Sequence, residues 1–549
     1  MRSRVLLLFL ISLVVPSGAL GGTHYVSVVG TAEWADSTDI AQPCSASTAM
    51  ANATAGDIVY FRGGTYNAGN STDREYPALN PTNSGTSGNP ITFVAYSGET
   101  PIITGNVDSS TRGAFFGAGH RNHIIWDGFT STMILFPSGE IQTFQFWTST
   151  GSILRNSTLI GVAQTSSTNT SLVRVEDSSD CEITNNVLHS ISGSGVNTTG
   201  IWIFSSTGTI VYNNTFYNSR SGVMQKTGPN IGTQVYRNYI YNLSSYAIYF
   251  NEQMSGGTGG SAYQNVIDNV GTGIHLEGVS ASAKINDYQV YNNTIYGTAA
   301  GITATSYVDN ATVWNNIISG SNAPFLRYYS GDSLPSYSDN NNFYHASSFT
   351  WNLDYSTDYT SIANWRTATS LDTYSITTDP GFVAAGTHTA ESYKRSSYPT
   401  DGRGGDYYSV MGAYITGSET IGASSDDSSP NPFSFGTDVT GAELSTLTED
   451  ATTITIAGID AGQTPAITVS GTGCQYEIDG SDSWTANAGT VGLDNVVALR
   501  TTSSGTHNAT ITCTVTIGGV SDSWGVTTLT FAADATPPRF RGGGRGGWR

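Results

Sequence analysis

Apolar and polar positions through the middle of the chain follow a phrase that keeps returning: a β-branched or aromatic residue, a polar residue, Asn, any residue, then an apolar residue. It reads Leu154-Arg155-Asn156-Ser157-Thr158-Leu159, then Ile183-Thr184-Asn185-Asn186-Val187-Leu188, and ends with Trp314-Asn315-Asn316-Ile317-Ile318. The key Asn positions are 156, 186, 214, 238, 265, 293 and 316, at steps of 30, 28, 24, 27, 28 and 23 residues. Such a step is one coil of a β-solenoid. No single coil can bury its own apolar face, so stacking is obligatory. Asn at one recurrent turn position predicts an internal ladder in which each side chain bonds the coils above and below.

A second phrase follows each Asn and usually opens with Gly, as in Gly200-Ile201-Trp202-Ile203-Phe204 and Gly273-Ile274-His275-Leu276-Glu277. Strand alternation turns Ile201, Val223, Ile248, Ile274 and Ile302 inward. The residues one step on then form two outward columns. One holds Arg174, Trp202, Met224, Tyr249, His275, Thr303 and Phe325. The other holds Glu176, Phe204, Lys226, Asn251, Glu277, Thr305 and Arg327.

These coils resemble the pectate-lyase-like right-handed parallel β-helix superfamily. The likeness extends to Gly56-Asp57-Ile58-Val59-Tyr60-Phe61-Arg62-Gly63-Gly64-Thr65-Tyr66, an opening coil. It also takes in residues 85–105, Asn364-Trp365-Arg366, Asp379-Pro380-Gly381-Phe382-Val383 and Met411-Gly412-Ala413-Tyr414. It implies an all-β chain with a single-stranded solenoid over residues 21–416. It implies no single activity, because the superfamily includes lyases, hydrolases, epimerases and non-catalytic surface proteins.

The remaining organisation follows from composition. Met1 to about residue 20 is a basic head, an apolar run too short to span a bilayer, and small residues suited to cleavage: a secretory signal peptide. No later stretch is long and apolar enough to cross a membrane, so a secreted or cell-surface location is expected. A formal net charge of −20 argues against nucleic acid as a partner. Residues 417–432 read as a Ser/Asp/Pro linker. Residues 433–532 carry short alternating strands such as Thr510-Ile511-Thr512-Cys513, a β-sandwich pattern. This stretch resembles an immunoglobulin-like repeat of bacterial surface proteins. Residues 533–549 form a low-complexity basic tail. Of four cysteines, Cys474 and Cys513 share the C-terminal module and are the expected pair, while Cys44 and Cys181 read as buried small residues.

Candidate chemistry lies on the outward columns. Sugar rings stack on aromatic faces, and hydroxyls need fixed polar partners. Trp202, Tyr249, Asn251, Phe325 and Arg327 are therefore candidate substrate-binding residues, with loop-covered packing as the plain alternative. Lys226 is one of only three lysines. With His275 and Glu277 it makes the candidate catalytic group, since a uronate lyase needs a base for the C5 proton and a cation for the carboxylate. The resemblance implies Lys and Arg working beside a calcium ion. No Glu-x-Glu pair precedes Lys226 here, so a metal site stays unassigned and calcium remains only an expectation. Glycoside hydrolysis needs two carboxyls about 5 or 6.5–9.5 Å apart. Glu176 and Glu277 are four coils apart, and Glu252 falls where the strand turns, which ranks hydrolysis lower. The expected function is a carbohydrate-active protein, a lyase or epimerase on an acidic polysaccharide. A non-catalytic glycan-binding adhesin or structural protein is the alternative.

Overall fold

The computed structural model describes residues 21–530, apart from 72, 108–112, 135–139, 165–168, 194–196, 255, 321–324, 329–333, 346–349, 355, 401, 404–409, 424–429, 431–432, 457–463, 493–494 and 519. The expected signal peptide, the basic tail and half of the expected linker lie outside the described residues. Two units form, divided at Ser424/Ser425.

The first unit is a parallel β-solenoid. One face is a sheet of twelve strands that runs from Thr23–Val26 through Ile153–Arg155, Glu182–Thr184 and Ile210–Tyr212 to Tyr337–Asp339, with each coil adding one strand. The other two faces meet at a bend. In two coils the chain runs through that bend as single strands, Tyr239–Glu252 and Val266–Gly278. Inward positions stack in register, as in Ile201, Val223, Ile248, Ile274, Ile302 and Leu326. All six are buried. At the N-terminal end lies the helix Ala46–Asn52, capped by Ser45. At the other end lies Ile362–Thr369, with Trp365 buried and donating to Asp372 Oδ2 at 2.9 Å.

The Asn ladder forms, with one correction and one addition. Asn186, Asn214, Asn238, Asn265, Asn293 and Asn316 are buried in a single row. The backbone N and the side-chain Nδ2 of each donate to Oδ1 of the next, at 2.9–3.1 Å. The row continues into Asn341. Asn156 is not in it. Its side chain pairs with Asn185, and Ser157 takes the ladder place by donating its N to Asn186 Oδ1 at 2.9 Å. Alignment on the buried Leu154 and Ile183 gives this register, because apolar stacking and not the Asn fixes the coil. Asn185, Asn213, Asn292 and Asn315, just before ladder positions, hold φ of 51–56°, a region that Asn tolerates better than most residues.

The solenoid interior is not wholly apolar. Gln225 sits in an inward row between Ile203 and Phe250. Its amide donates to Glu252 Oε1 at 2.6 Å and contacts the Tyr288 hydroxyl; Asn230 donates to the same Glu252 oxygen at 2.9 Å. Glu252 is 0% exposed, and burial pushes its carboxyl up to about 7 despite these two donors. Glu252 Oε2 and Gln225 Oε1 accept nothing. A protonated Glu252 would offer one donor to this cluster.

The described residues between 375 and 423 run back along the coils. Ile376 N bonds Asn341 O, Gly412 N bonds Asn315 O, and Ala413 N bonds Thr294 Oγ1. Gly422 N bonds Arg237 O, and Ala423 N bonds Thr215 Oγ1. Tyr393, Tyr414 and Ile421 pack with Tyr239 and Val266. Residues 417–423, expected as linker, are therefore part of the solenoid unit, because they find both apolar and hydrogen-bonding partners there.

The second unit holds a five-stranded and a four-stranded sheet around one core with Trp524 and Tyr476. Cys474 and Cys513 are disulfide-bonded, Cα atoms 5.6 Å apart. Cys44 and Cys181 are free and buried.

Two outcomes follow. Asn238→Ala would strand the donors of Asn214 and remove a donor from the carbonyls of Val211 and Tyr236. Urea denaturation should show a loss of about 2–4 kcal/mol, and a loss within error of zero would refute the ladder's role. Glu252 is the second case. Its folded carboxyl titrates above the unfolded one, so the folded chain holds the extra proton between them. Its contribution is fully present below pH 4.5 and is lost as pH rises through about 7, at a cost of about 3 kcal/mol. Glu252→Gln should lose less stability between pH 5 and pH 8 than the wild type; equal losses would count against a neutral Glu252.

Candidate functional site

The outward columns exist, with one register change. Arg174, Trp202, Met224, Tyr249, His275 and Thr303 stand in one row across successive coils. The row ends in Arg327 and not in Phe325, because Leu326 is the residue that pairs with inward Ile302. Phe325 is 1% exposed and packs in the core against Phe343 and Trp351. It is no substrate platform.

The first half of these columns is covered. Trp202 is 0% exposed, its indole donates to Asn197 O at 3.0 Å, and it clusters with Phe204, Met224 and Tyr249. Arg74 reaches over from an early coil to Glu176 Oε1 at 2.7 Å and lies 4.5 Å from the Trp147 ring. Arg174 bonds Glu140 at 2.8 Å and also Glu176, with its guanidinium 4.4 Å from the Phe204 ring. Charges thus pair with charges and rings with guanidinia, leaving no open aromatic face for a sugar at Trp202.

Lys226 belongs to this covered region. Its ammonium donates to Asn197 Oδ1 at 2.9 Å and lies 5.4 Å from the Trp202 ring. Burial lowers its pKa below the usual lysine range, while Glu140 pulls the other way. The expected partnership of Lys226 with Glu277 does not form, because the nearer acceptor and the indole hold the ammonium toward the preceding coil.

The second half of the columns is a compact polar group centred on Glu277. Asn251 and Glu277 face each other on adjacent coils, as do Tyr249 and His275. Two donors converge on Oε2, the Tyr249 hydroxyl and Asn251 Nδ2 at 2.7 Å, and His275 Nε2 stands 3.8 Å away. Oε1 accepts no hydrogen bond among the described residues. His275 Nδ1 and Thr303 Oγ1 are hydrogen-bonded at 2.5 Å. Glu277 is 29% exposed, and the neighbouring His275 holds its pKa below the usual Glu range, against the opposing effect of burial. Burial and the bond to Glu277 raise the Tyr249 phenol far above its ordinary value, so it stays protonated.

Glu252 lies next to this group in sequence but points into the bore, so it is no second carboxyl for Glu277. Sequence reading missed Tyr246, whose ring stacks on His275 at 5.1 Å and lies 4.6 Å from Tyr249. A register irregularity between Leu243 and Tyr246 brings it there, and a break of that kind leaves no mark in the alternation. At the bend is an open groove of about 540 Å³ crossing several coils, lined by small or polar residues such as Ser192, Ser219, Ser244 and Gly271. Among the described residues no three His, Cys, Asp or Glu side chains cluster as a metal site.

Residues 143–318 match the right handed beta helix region family. The chain carries a right-handed β-helix. Similar solved structures include the pectate lyase Pel9A, 13% identical, covering 67% of this chain and 84% of that one at a TM-score of 0.41. The complex of XylC with xylose is 12% identical and covers 61% of this chain and 86% of that one at 0.40. A GH136 lacto-N-biosidase from Eubacterium ramulus is 13% identical and covers 61% and 67% at 0.34. No curated protein sequence matches.

The covered state of Trp202 is testable. Trp202→Ala should behave as a core truncation and cost about 3–5 kcal/mol in urea denaturation. A loss under 1 kcal/mol would restore it as an exposed platform.

Proposed function

We propose that this chain is a carbohydrate-active β-helix protein that removes a proton from a uronate residue, as a lyase or epimerase does. The observation that carries the reading is the arrangement at Glu277: one oxygen fixed by Tyr249 and Asn251 with His275 close by, the other without a hydrogen bond among the described residues. A carboxylate held on one side by strand-borne donors is positioned to accept a proton on the other. Only one carboxylate stands in the group, which suits proton abstraction better than the two-carboxyl chemistry of glycoside hydrolysis.

In the elimination, Glu277 Oε1 takes the C5 proton, the C5 electron pair forms the C4=C5 bond, and the C4–O bond breaks. The departing oxygen is protonated by the Tyr249 hydroxyl. In an epimerisation, the carbanion regains a proton at C5 on the opposite face. The basic head, apolar run and small residues of positions 1–20 support export of the protein. The second reading, a non-catalytic glycan-binding surface protein, draws on the separate two-sheet unit with its disulfide.

Glu277→Gln should lower turnover at least a hundredfold on the uronate polymer that the wild type attacks, read as absorbance of the unsaturated product or as C5 proton exchange with solvent. Tyr249→Phe should lower elimination more than exchange. The acid limb of the wild-type pH profile should lie below the ordinary Glu range. Undiminished turnover in Glu277→Gln would overturn the assignment. No turnover on any uronate polymer, with glycan binding intact, would establish the second reading.

A further inference from the structure

Within the Glu277 group, His275 is the side chain with two ways to sit. A half-turn about its Cβ–Cγ bond exchanges each ring nitrogen with a ring carbon, so the ring can turn either Nε2 or a C–H toward a neighbour. Here Nε2 faces Glu277, 3.8 Å from Oε2. The ring is buried, stacked on Tyr246 at 5.1 Å and tilted against Tyr249 at 4.8 Å. Those two rings would meet much the same flat face after the half-turn, so they do not choose between the settings.

The contact with Thr303 does choose. Thr303 stands directly opposite His275 on the next coil, in the strand Ala300–Ala304. Its Oγ1 is hydrogen-bonded to Nδ1 at 2.5 Å, and Thr303 is itself 3% exposed. A β-branched side chain has few χ1 settings, so the hydroxyl is offered from a fixed place. The flipped ring would set a C–H against that oxygen and lose the bond at a buried site. The protons follow from charge. A bare Nε2 would turn its lone pair toward an ionised carboxylate, which Coulomb repulsion disfavours, so Nε2 carries a proton. Nδ1 then accepts from the Thr303 hydroxyl or, in the doubly protonated ring, donates to it. A hydroxyl serves both by rotating.

We infer that Thr303 is a positioning residue of this site: its hydroxyl fixes the turn of the His275 ring and the nitrogen that bears the proton, so that Nε2–H faces Glu277 Oε2 while Oε1 stays free. Tyr249 and Asn251 load the same oxygen. With donors gathered on one oxygen, Glu277 stays ionised and the open oxygen is the one that takes up a proton. Among the described residues the titratable groups at Glu277 are Tyr246, Tyr249 and His275, and no lysine or arginine pairs with it. Both phenols stay protonated, since burial raises them. His275 is therefore the group through which the charge on Glu277 is held. The consequence for turnover rests on the proton-abstraction reading; the state of the ring does not.

The ring is read by nitrogen NMR on the full chain labelled in its eight histidines, the His275 signals being those missing from His275→Phe. The wild type should show Nε2 protonated. Thr303→Val fills the same space without a hydroxyl and should redistribute the proton between the two nitrogens. Thr303→Ser should restore the wild-type pattern. On the uronate polymer that the wild type attacks, Thr303→Val should lower kcat about tenfold to a hundredfold with KM little changed. Its acid limb should rise toward the ordinary Glu range, and Thr303→Ser should recover both. A bare Nε2 in the wild type overturns the inference, and so do wild-type nitrogen signals in Thr303→Val. An acid limb that stays in place overturns it as well, as does a kcat loss that Thr303→Ser shares, since packing alone would explain either. If the wild type turns over no uronate polymer, carbon NMR of the Glu277 carboxyl replaces the acid limb. A titration midpoint raised in Thr303→Val then upholds the inference while the catalytic reading falls, and an unmoved midpoint overturns the inference.

Discussion

The constraint on which this protein depends is the side-chain amide ladder at one corner of the coil. A solenoid coil must turn sharply three times, and each turn takes backbone N–H and C=O groups out of the sheets. At this corner the buried Asn side chains supply the missing partners, accepting from one coil and donating to the carbonyls of the coils before it. A buried amide without a partner costs what the hydrogen bond would otherwise save, so the row has to be continuous. Where Asn gives out, Ser157 and Ser375 close the two ends.

Continuity of the ladder fixes where every other side chain points. Register along a strand has a period of two, so a slip of one residue would exchange the bore for the surface. Because the ladder and the apolar rows hold the same register from coil to coil, Tyr249, His275 and Thr303 line up without a loop to place them. Asn251 and Glu277 do so beside them. Strand-borne groups also explain the tight focus on Glu277 Oε2: the donors sit on the same strand or the next, and the pleat sets their direction.

The architecture was legible because it is periodic. Asn186 to Asn316 could be read directly, while Asn156 misled because its phrase has Asn one place early and only Leu154 and Leu159 reveal the true alignment. The two columns were legible as far as alternation held. It failed at Phe325, where the irregular end of the solenoid turns Phe inward, and at Tyr246, where a local irregularity turns Tyr outward. Coverage was not legible. Arg74 lies far in sequence from Glu176, and nothing in either segment marks the contact that seals this end of the face. Nor could sequence show that Lys226 would find Asn197 and an indole nearer than Glu277.

The backward-running segment 375–423 changes what kind of object the solenoid is. In a simple stack each repeat touches only its neighbours, and the array behaves as a one-dimensional chain that can fray inward from either tip. Here the segment that leaves the last coils is fastened successively beside Asn315, Thr294, Arg237 and Thr215. Repeats several positions apart thereby share one tether. Opening the final coil pulls on a ribbon still glued to coils much nearer the middle. The coils bearing the Glu277 group lie under the span of that ribbon. The far tip and the stretch bearing the Glu277 group therefore melt as one cooperative block, while the coils before Thr215 lie outside that tether and are bridged separately by Arg74 and Glu176.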